Sequence, residues 1–122
     1  MAEVLIVEDT PSEASLAAIA IALRRPDTRV HEAHDLNEAL NFLDFNKAPA
    51  VAILGWRALK DAPAKLAKRE TAFIGFAANL TEAERSRAIE AGVRAIYERP
   101  QDWRPFCDAL EGLLNDWLPV RA

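Results

Sequence analysis

The stretch VLIVEDTPSEASLAAIAIAL, residues 4–23, decides the architecture. Val4–Val7 is a short apolar run that ends abruptly in two carboxylates, Glu8 and Asp9. A helical pattern over Ser12–Leu23 follows at once. Thr10 and Glu13 have the spacing of a capping box, and Pro11 suits the first helical position. The strand-to-helix step is then repeated along the chain. Arg29–Ala33, Val51–Leu54, Ala72–Phe76 and Ala95–Glu98 read as strands, and Leu36–Phe45, Ala62–Lys68, Glu82–Ala91 and Trp103–Leu118 as helices. Asp35 with Glu38 and Thr81 with Glu84 repeat the capping spacing, and Gly92 sits where a helix-terminating glycine belongs. Strands alternating with helices across short connections predict an α/β fold: a parallel sheet with right-handed crossovers and helices on both faces.

The second informative stretch is PAVAILGW, residues 49–56. Val51–Leu54, bounded by Pro49 and Gly55, reads as a strand buried on both faces. Ligand chemistry in open parallel sheets gathers at the carboxyl ends of the strands. Glu8, Asp9 and Gly55 are therefore expected to meet there, with glycine where a third acidic group would complete the set. In the last helix, Trp103, Phe106, Leu110, Leu113, Leu114 and Trp117 form one apolar stripe expected to pack on the sheet, with Trp117 a candidate partner contact.

Composition narrows the function. The 122 residues form one expected domain spanning 1–122, and 51 % hydrophobic with 28 % charged residues is ordinary for a globular protein. A net charge of −4 without a basic stretch argues against nucleic-acid binding. Arg24-Arg25 and Lys65, Lys68 and Arg69 read as solvated helix ends. The single cysteine, Cys107, excludes an internal disulfide and is expected as a buried thiol, which fits a cytoplasmic location. No signal peptide and no apolar run of membrane-spanning length is evident. His31 and His34 are not placed to share a metal and read as surface or loop residues. Acidic residues after the first strand disfavour a phosphate-binding loop, and no nucleophile–base constellation is apparent. A non-enzymatic role without a cofactor is expected.

VLIVEDTPSEASLAAIAIAL, PAVAILGW, FIGFAAN (residues 73–79) and AGVRAIYERP (residues 91–100) together resemble the response-regulator receiver domain, the CheY-like family, over essentially the whole chain. The resemblance implies a doubly wound (βα)5 fold with five parallel strands in the order 2-1-3-4-5. It also implies what each position would do. Glu8 and Asp9 match the acidic pair that holds magnesium. Gly55 stands at the phospho-accepting aspartate, Ala77 at the hydroxyl residue that binds the phosphoryl group, and Arg99 at the lysine that pairs with it. Ile96 takes the place of the aromatic switch residue, with Tyr97 one step further on.

Those substitutions have physical consequences. Covalent phosphorylation needs a carboxylate nucleophile, and glycine offers none. Alanine at 77 cannot orient a phosphoryl group, and arginine at 99 lacks the compact charge of lysine. The expected product is a vestigial acidic pocket: Glu8, Asp9, Gly55, Ala77 and Arg99. Two adjacent carboxylates repel, so one should take up a proton unless a cation is near. Magnesium would bind Glu8 and Asp9 only weakly without a third carboxylate. Arg57 or Arg99 is the expected cation to fill the vacancy. The function this implies is a pseudo-receiver that signals through protein contact without phosphorylation. Its expected surface comprises Glu84, Arg87, Ala88, Ala91, Arg94 and Tyr97, and its expected partners are a signalling kinase, a regulator or a second copy of the chain. The alternative is a small-molecule or metal-responsive domain using the vacated pocket.

Overall fold

A computed structural model describes residues 2–61 and 66–118. The strands are β1 (Ala2–Val7), β2 (Thr28–Ala33), β3 (Val51–Leu54), β4 (Ala72–Ala77) and β5 (Ala95–Glu98). They form one parallel sheet in the order β2-β1-β3-β4-β5, as expected. The helices are α1 (Pro11–Arg24), α2 (Leu36–Phe45), α3 (Trp56–Lys60), α4 (Glu82–Ala91) and α5 (Trp103–Trp117), with a 3-10 turn at Leu66–Lys68.

Successive strand side chains point to opposite faces, so each central strand feeds two cores. Val4, Ile6, Ile53, Ile74 and Phe76 pack against Ala17, Ile21, Phe106, Leu110 and Leu114 of α1 and α5. Leu5, Val7, Leu54 and Phe73 meet Leu36, Leu43, Leu59 and Ala88 on the opposite face, beneath α2, α3 and α4. This two-sided burial is why β1, β3 and β4 read as continuous apolar runs. Cys107 lies buried in the first core, as a structural thiol. No helix of the described residues is long and apolar enough to cross a membrane.

Two local expectations change. The third helix begins at Trp56, directly after β3, because Gly55 adopts extended backbone and serves as the N-cap. The expected Ala62–Lys68 helix survives only as the 3-10 turn, and residues 62–65 lie outside the described residues. The Thr10–Glu13 capping box does not form: the Thr10 side chain makes no cap bond, and Glu13 binds Arg99 instead. The box at Thr81–Glu84 forms in both directions, Asp35 accepts from the Glu38 N–H, and Gly92 closes α4 in the left-handed region with φ 113°.

Candidate functional site at the ends of β1 and β3

Parallel register sets Val7 beside Leu54, so the chain leaves β1 and β3 at the same level. The Gly55 N–H donates to the Val7 carbonyl at 2.9 Å, and the Glu8 N–H donates to the Ala33 carbonyl at 3.0 Å. These bonds hold the backbone of Glu8 and Gly55 side by side.

The position that glycine leaves open is occupied by Glu8. A Cβ placed on Gly55 would overlap Glu8 Oε2 and lie 2.8 Å from Glu8 Cδ. The Glu8 carboxyl thus lies over the bare glycine backbone. What remains beside it is a void of about 20 Å³, lined by Val7, Glu13, Gly55, Phe76 and Arg99 among others. That is room for about one water. A small-molecule pocket in the vacancy, the alternative expectation, is not formed with Glu8 in this position.

Burial pushes the Glu8 carboxyl up to about 7, and its hydrogen bond with Asp9 and the charge of Glu13 act the same way. A weak bond from the Thr10 N–H to Glu8 Oε1, at 3.4 Å, opposes them. A glutamate that keeps its proton is the physical outcome of a half-buried carboxyl beside other acids without a strong cation.

Neither arginine neutralises Glu8. Arg99 Nη1 binds Glu13 Oε1 at 2.9 Å, and its guanidinium lies over the Phe106 ring at 5.5 Å. The reach is set by its backbone, whose N–H bonds the Ala77 carbonyl and carries the side chain toward α1. Arg57 Nε is 3.9 Å from Asp9 Oδ2, and both side chains are well exposed, so this pair is weak. Ala77 is buried on the α2–α4 side and presents only a methyl group. No group of three metal-ligating side chains occurs among the described residues. With Glu8 turned over Gly55, the acidic pair does not fit a magnesium site, which favours several oxygen ligands.

The expected interaction surface is only partly exposed. Ala88 and Ala91 are 1 % and 6 % exposed and belong to the inward side of α4, which corrects their assignment to the surface. Arg87 and Arg94 are exposed. Glu84 is held by the capping box and lies 3.7 Å from Lys60 Nζ. Tyr97 turns toward α5, where its hydroxyl donates to Asp116 Oδ2 at 2.6 Å and accepts from Trp117 Nε1 at 3.0 Å. Trp117 is therefore engaged within the chain. Ile96 faces the other way, against Gly75 and the α3–α4 side.

Two features escape the sequence reading. His31 is a half-buried residue of the edge strand β2 with partners of its own: its Nε2 lies 2.6 Å from Glu3 Oε1, and its ring lies 5.0 Å from that of Phe42. A hollow of about 580 Å³ opens where α1, the β5–α5 connection and α5 meet, lined by Leu16, Arg99, Pro100, Trp103 and Phe106 among others. Its signal was Trp103 at the outer end of the α5 stripe, where the Phe106 ring stacks on it at 5.7 Å.

No protein-family model matches the chain, and none of the curated proteins does. Solved structures do. The chain is similar to the phosphorylated cyanobacterial phytochrome response regulator RcpA, with TM-score 0.80, 15 % identity, and coverage of 99 % of this chain and 96 % of that one. It is similar to the receiver domain of the putative response regulator NarL from Mycobacterium tuberculosis, with TM-score 0.79, 20 % identity and 98 % coverage of both chains. It is also similar to the response-regulator domain of CheB from Thermotoga maritima, with TM-score 0.76, 21 % identity, and coverage of 100 % and 99 %. The chain has the receiver fold.

Proposed function

We propose that the chain is a receiver-like signalling domain that takes no phosphoryl group and works in the cytoplasm through contact with other proteins, a signalling kinase or regulator among them. One observation carries this reading: the Glu8 carboxyl lies over Gly55, where the receiver fold would present its acceptor aspartate. A nucleophile is missing there, and the nearest carboxyl, pushed up to about 7, keeps its proton on a substantial share of molecules at neutral pH, which weakens it as a nucleophile and as a metal ligand. Ala77 supplies no hydroxyl, and the Arg99 charge is committed to Glu13. On the α4–β5 side, Arg87 and Arg94 are exposed to a partner beside the exposed carboxylates Glu82, Glu90 and Glu98, a mixed-charge patch.

Incubation with acetyl phosphate and magnesium, followed by intact-mass measurement, tests the reading. The expected result is an unchanged mass. A phosphoryl adduct on any carboxylate overturns it. In the same samples a magnesium titration followed by Trp56 fluorescence is expected to be flat, since Trp56 directly follows Gly55.

A further inference from the structure

The hollow of about 580 Å³ has the size of a small-ligand site, and its walls divide by chemistry. One side is apolar: Leu16 of α1, Pro100 of the β5–α5 connection, and Trp103 and Phe106 of α5. Leu16 and Trp103 are 43 % and 42 % exposed, so both present apolar surface to anything that enters. The Phe106 ring stacks on Trp103 and holds it in place. The other side is an ion pair, in which Arg99 Nη1 donates to Glu13 Oε1 at 2.9 Å. That pair is only partly spent. Among the described residues, Arg99 commits one side-chain N–H and Glu13 Oε2 accepts none, while a guanidinium carries several further donors. Its geometry is fixed from two directions, by Glu13 and by the Phe106 ring beneath the guanidinium. The hollow is distinct from the small void at Glu8, although the same pair borders both.

We propose that the hollow binds a free amino acid with an aromatic side chain, held as its zwitterion. The charge pair selects that class. A carboxylate alone would meet Arg99 but be repelled by Glu13, and an ammonium alone would meet Glu13 but be repelled by Arg99. A wholly apolar molecule would take water from both charged groups and return no hydrogen bond, which is costly. A zwitterion avoids all three penalties by lying antiparallel to the pair. Its carboxylate accepts from the unused N–H groups of Arg99, and its ammonium donates to Glu13 Oε2. The two charges of an α-amino acid are one carbon apart, so they match a guanidinium and a carboxylate already in hydrogen-bond contact. These bonds are charge-assisted at both ends. The side chain then lies along the apolar wall, where an aromatic ring gains stacked or edge contact with Trp103 as well as burial against Leu16. A residue within a peptide carries neither backbone charge, so the site discriminates against it.

Calorimetric titration of the full chain with phenylalanine and with tryptophan tests the proposal. Saturable binding of at least one of them is expected, with a Kd of about 1 mM or tighter. N-acetylphenylalanine lacks the ammonium, phenylalaninamide lacks the carboxylate, and glycine lacks the ring. Each is expected to bind at least about tenfold more weakly than phenylalanine or tryptophan, whichever binds tighter. Trp103→Ala removes an exposed side chain and Glu13→Gln removes one charge; each is expected to lose about tenfold or more in affinity with an unchanged circular-dichroism spectrum. A wild-type chain that binds neither amino acid overturns the proposal. So does binding of N-acetylphenylalanine or phenylalaninamide as tight as that of the amino acids, since the two charges would then not be read. Affinity unchanged in Trp103→Ala would place the ligand outside the hollow and overturn the proposal equally. The inference is independent of the missing phosphoryl acceptor, and none of these results bears on the acetyl phosphate experiment.

Discussion

A glycine at the end of a buried strand leaves a gap that something must fill, and the cheapest occupant is the side chain already next to it. Glu8 is one backbone hydrogen-bond step from Gly55 and ends in a flexible carboxyl, so it folds over the bare Cα. Its cost is desolvation, which is why it holds its proton to about pH 7. Gly55→Ala tests this coupling. The new methyl group would meet the far end of Glu8 rather than backbone, so Glu8 is expected to swing into solvent while the fold stays intact. Carboxyl titration by NMR should then find Glu8 back near the ordinary glutamate value of about 4.3. At acidic pH, where Glu8 is protonated in both states, stability should fall by about 1 kcal/mol or less, because glycine is a better N-cap than alanine for α3; at neutral pH the release of Glu8 to solvent offsets that loss. A Glu8 carboxyl still titrating near 7 in the variant would separate its shift from the glycine.

At the scale of elements, the strands and four of the five helices were legible because their signals are local. Apolar runs of four to six residues, capping spacing and Gly92 state them directly. α3 was not legible: five residues are too few for an apolar period, and its start depends on Gly55 acting as a cap. The Thr10–Glu13 spacing promised a box, but a distant arginine competes for Glu13, and no local pattern reveals that. α4 misled in a different way. Its inward residues are alanines, Ala88 and Ala91, so a buried stripe looks like surface in the sequence. With so little apolar area to bury, α4 should lean on its cap more than α1 does. Thr81→Ala is expected to cost about 1 kcal/mol in denaturant unfolding. Thr10→Ala, whose hydroxyl caps nothing, is expected to cost a few tenths or less. Equal losses in the two variants would mean that the Thr81 bonds do not hold α4.

For the whole molecule, the site matters through its effect on stability, since the folded and unfolded chains bind the Glu8 proton differently. The acidic pair itself was legible, and so was the prospect of a retained proton; the partner of Arg99 was not, because it depends on how far α1 lies from β5. Folding raises the Glu8 carboxyl from 4.5 to about 7. Between those values the folded chain holds more proton than the unfolded chain, so stability falls as pH rises. Below 4.5 both states are protonated and Glu8 contributes no penalty; above 7 both are ionised and the penalty is complete. After allowance for the solvent that still reaches a half-buried carboxyl, the penalty is about 1–2 kcal/mol. Other groups titrate over the same range, so the informative quantity is the difference between the wild type and Glu8→Gln, a neutral group of the same shape. Urea unfolding from pH 4 to 8 is expected to give a constant difference at the acidic end. Glu8→Gln should then gain about 1–2 kcal/mol on the wild type as pH rises through 7. A difference that stays constant across the range would mean that Glu8 ionises as freely in the folded chain as in the unfolded one. The carboxyl would then not be confined over Gly55.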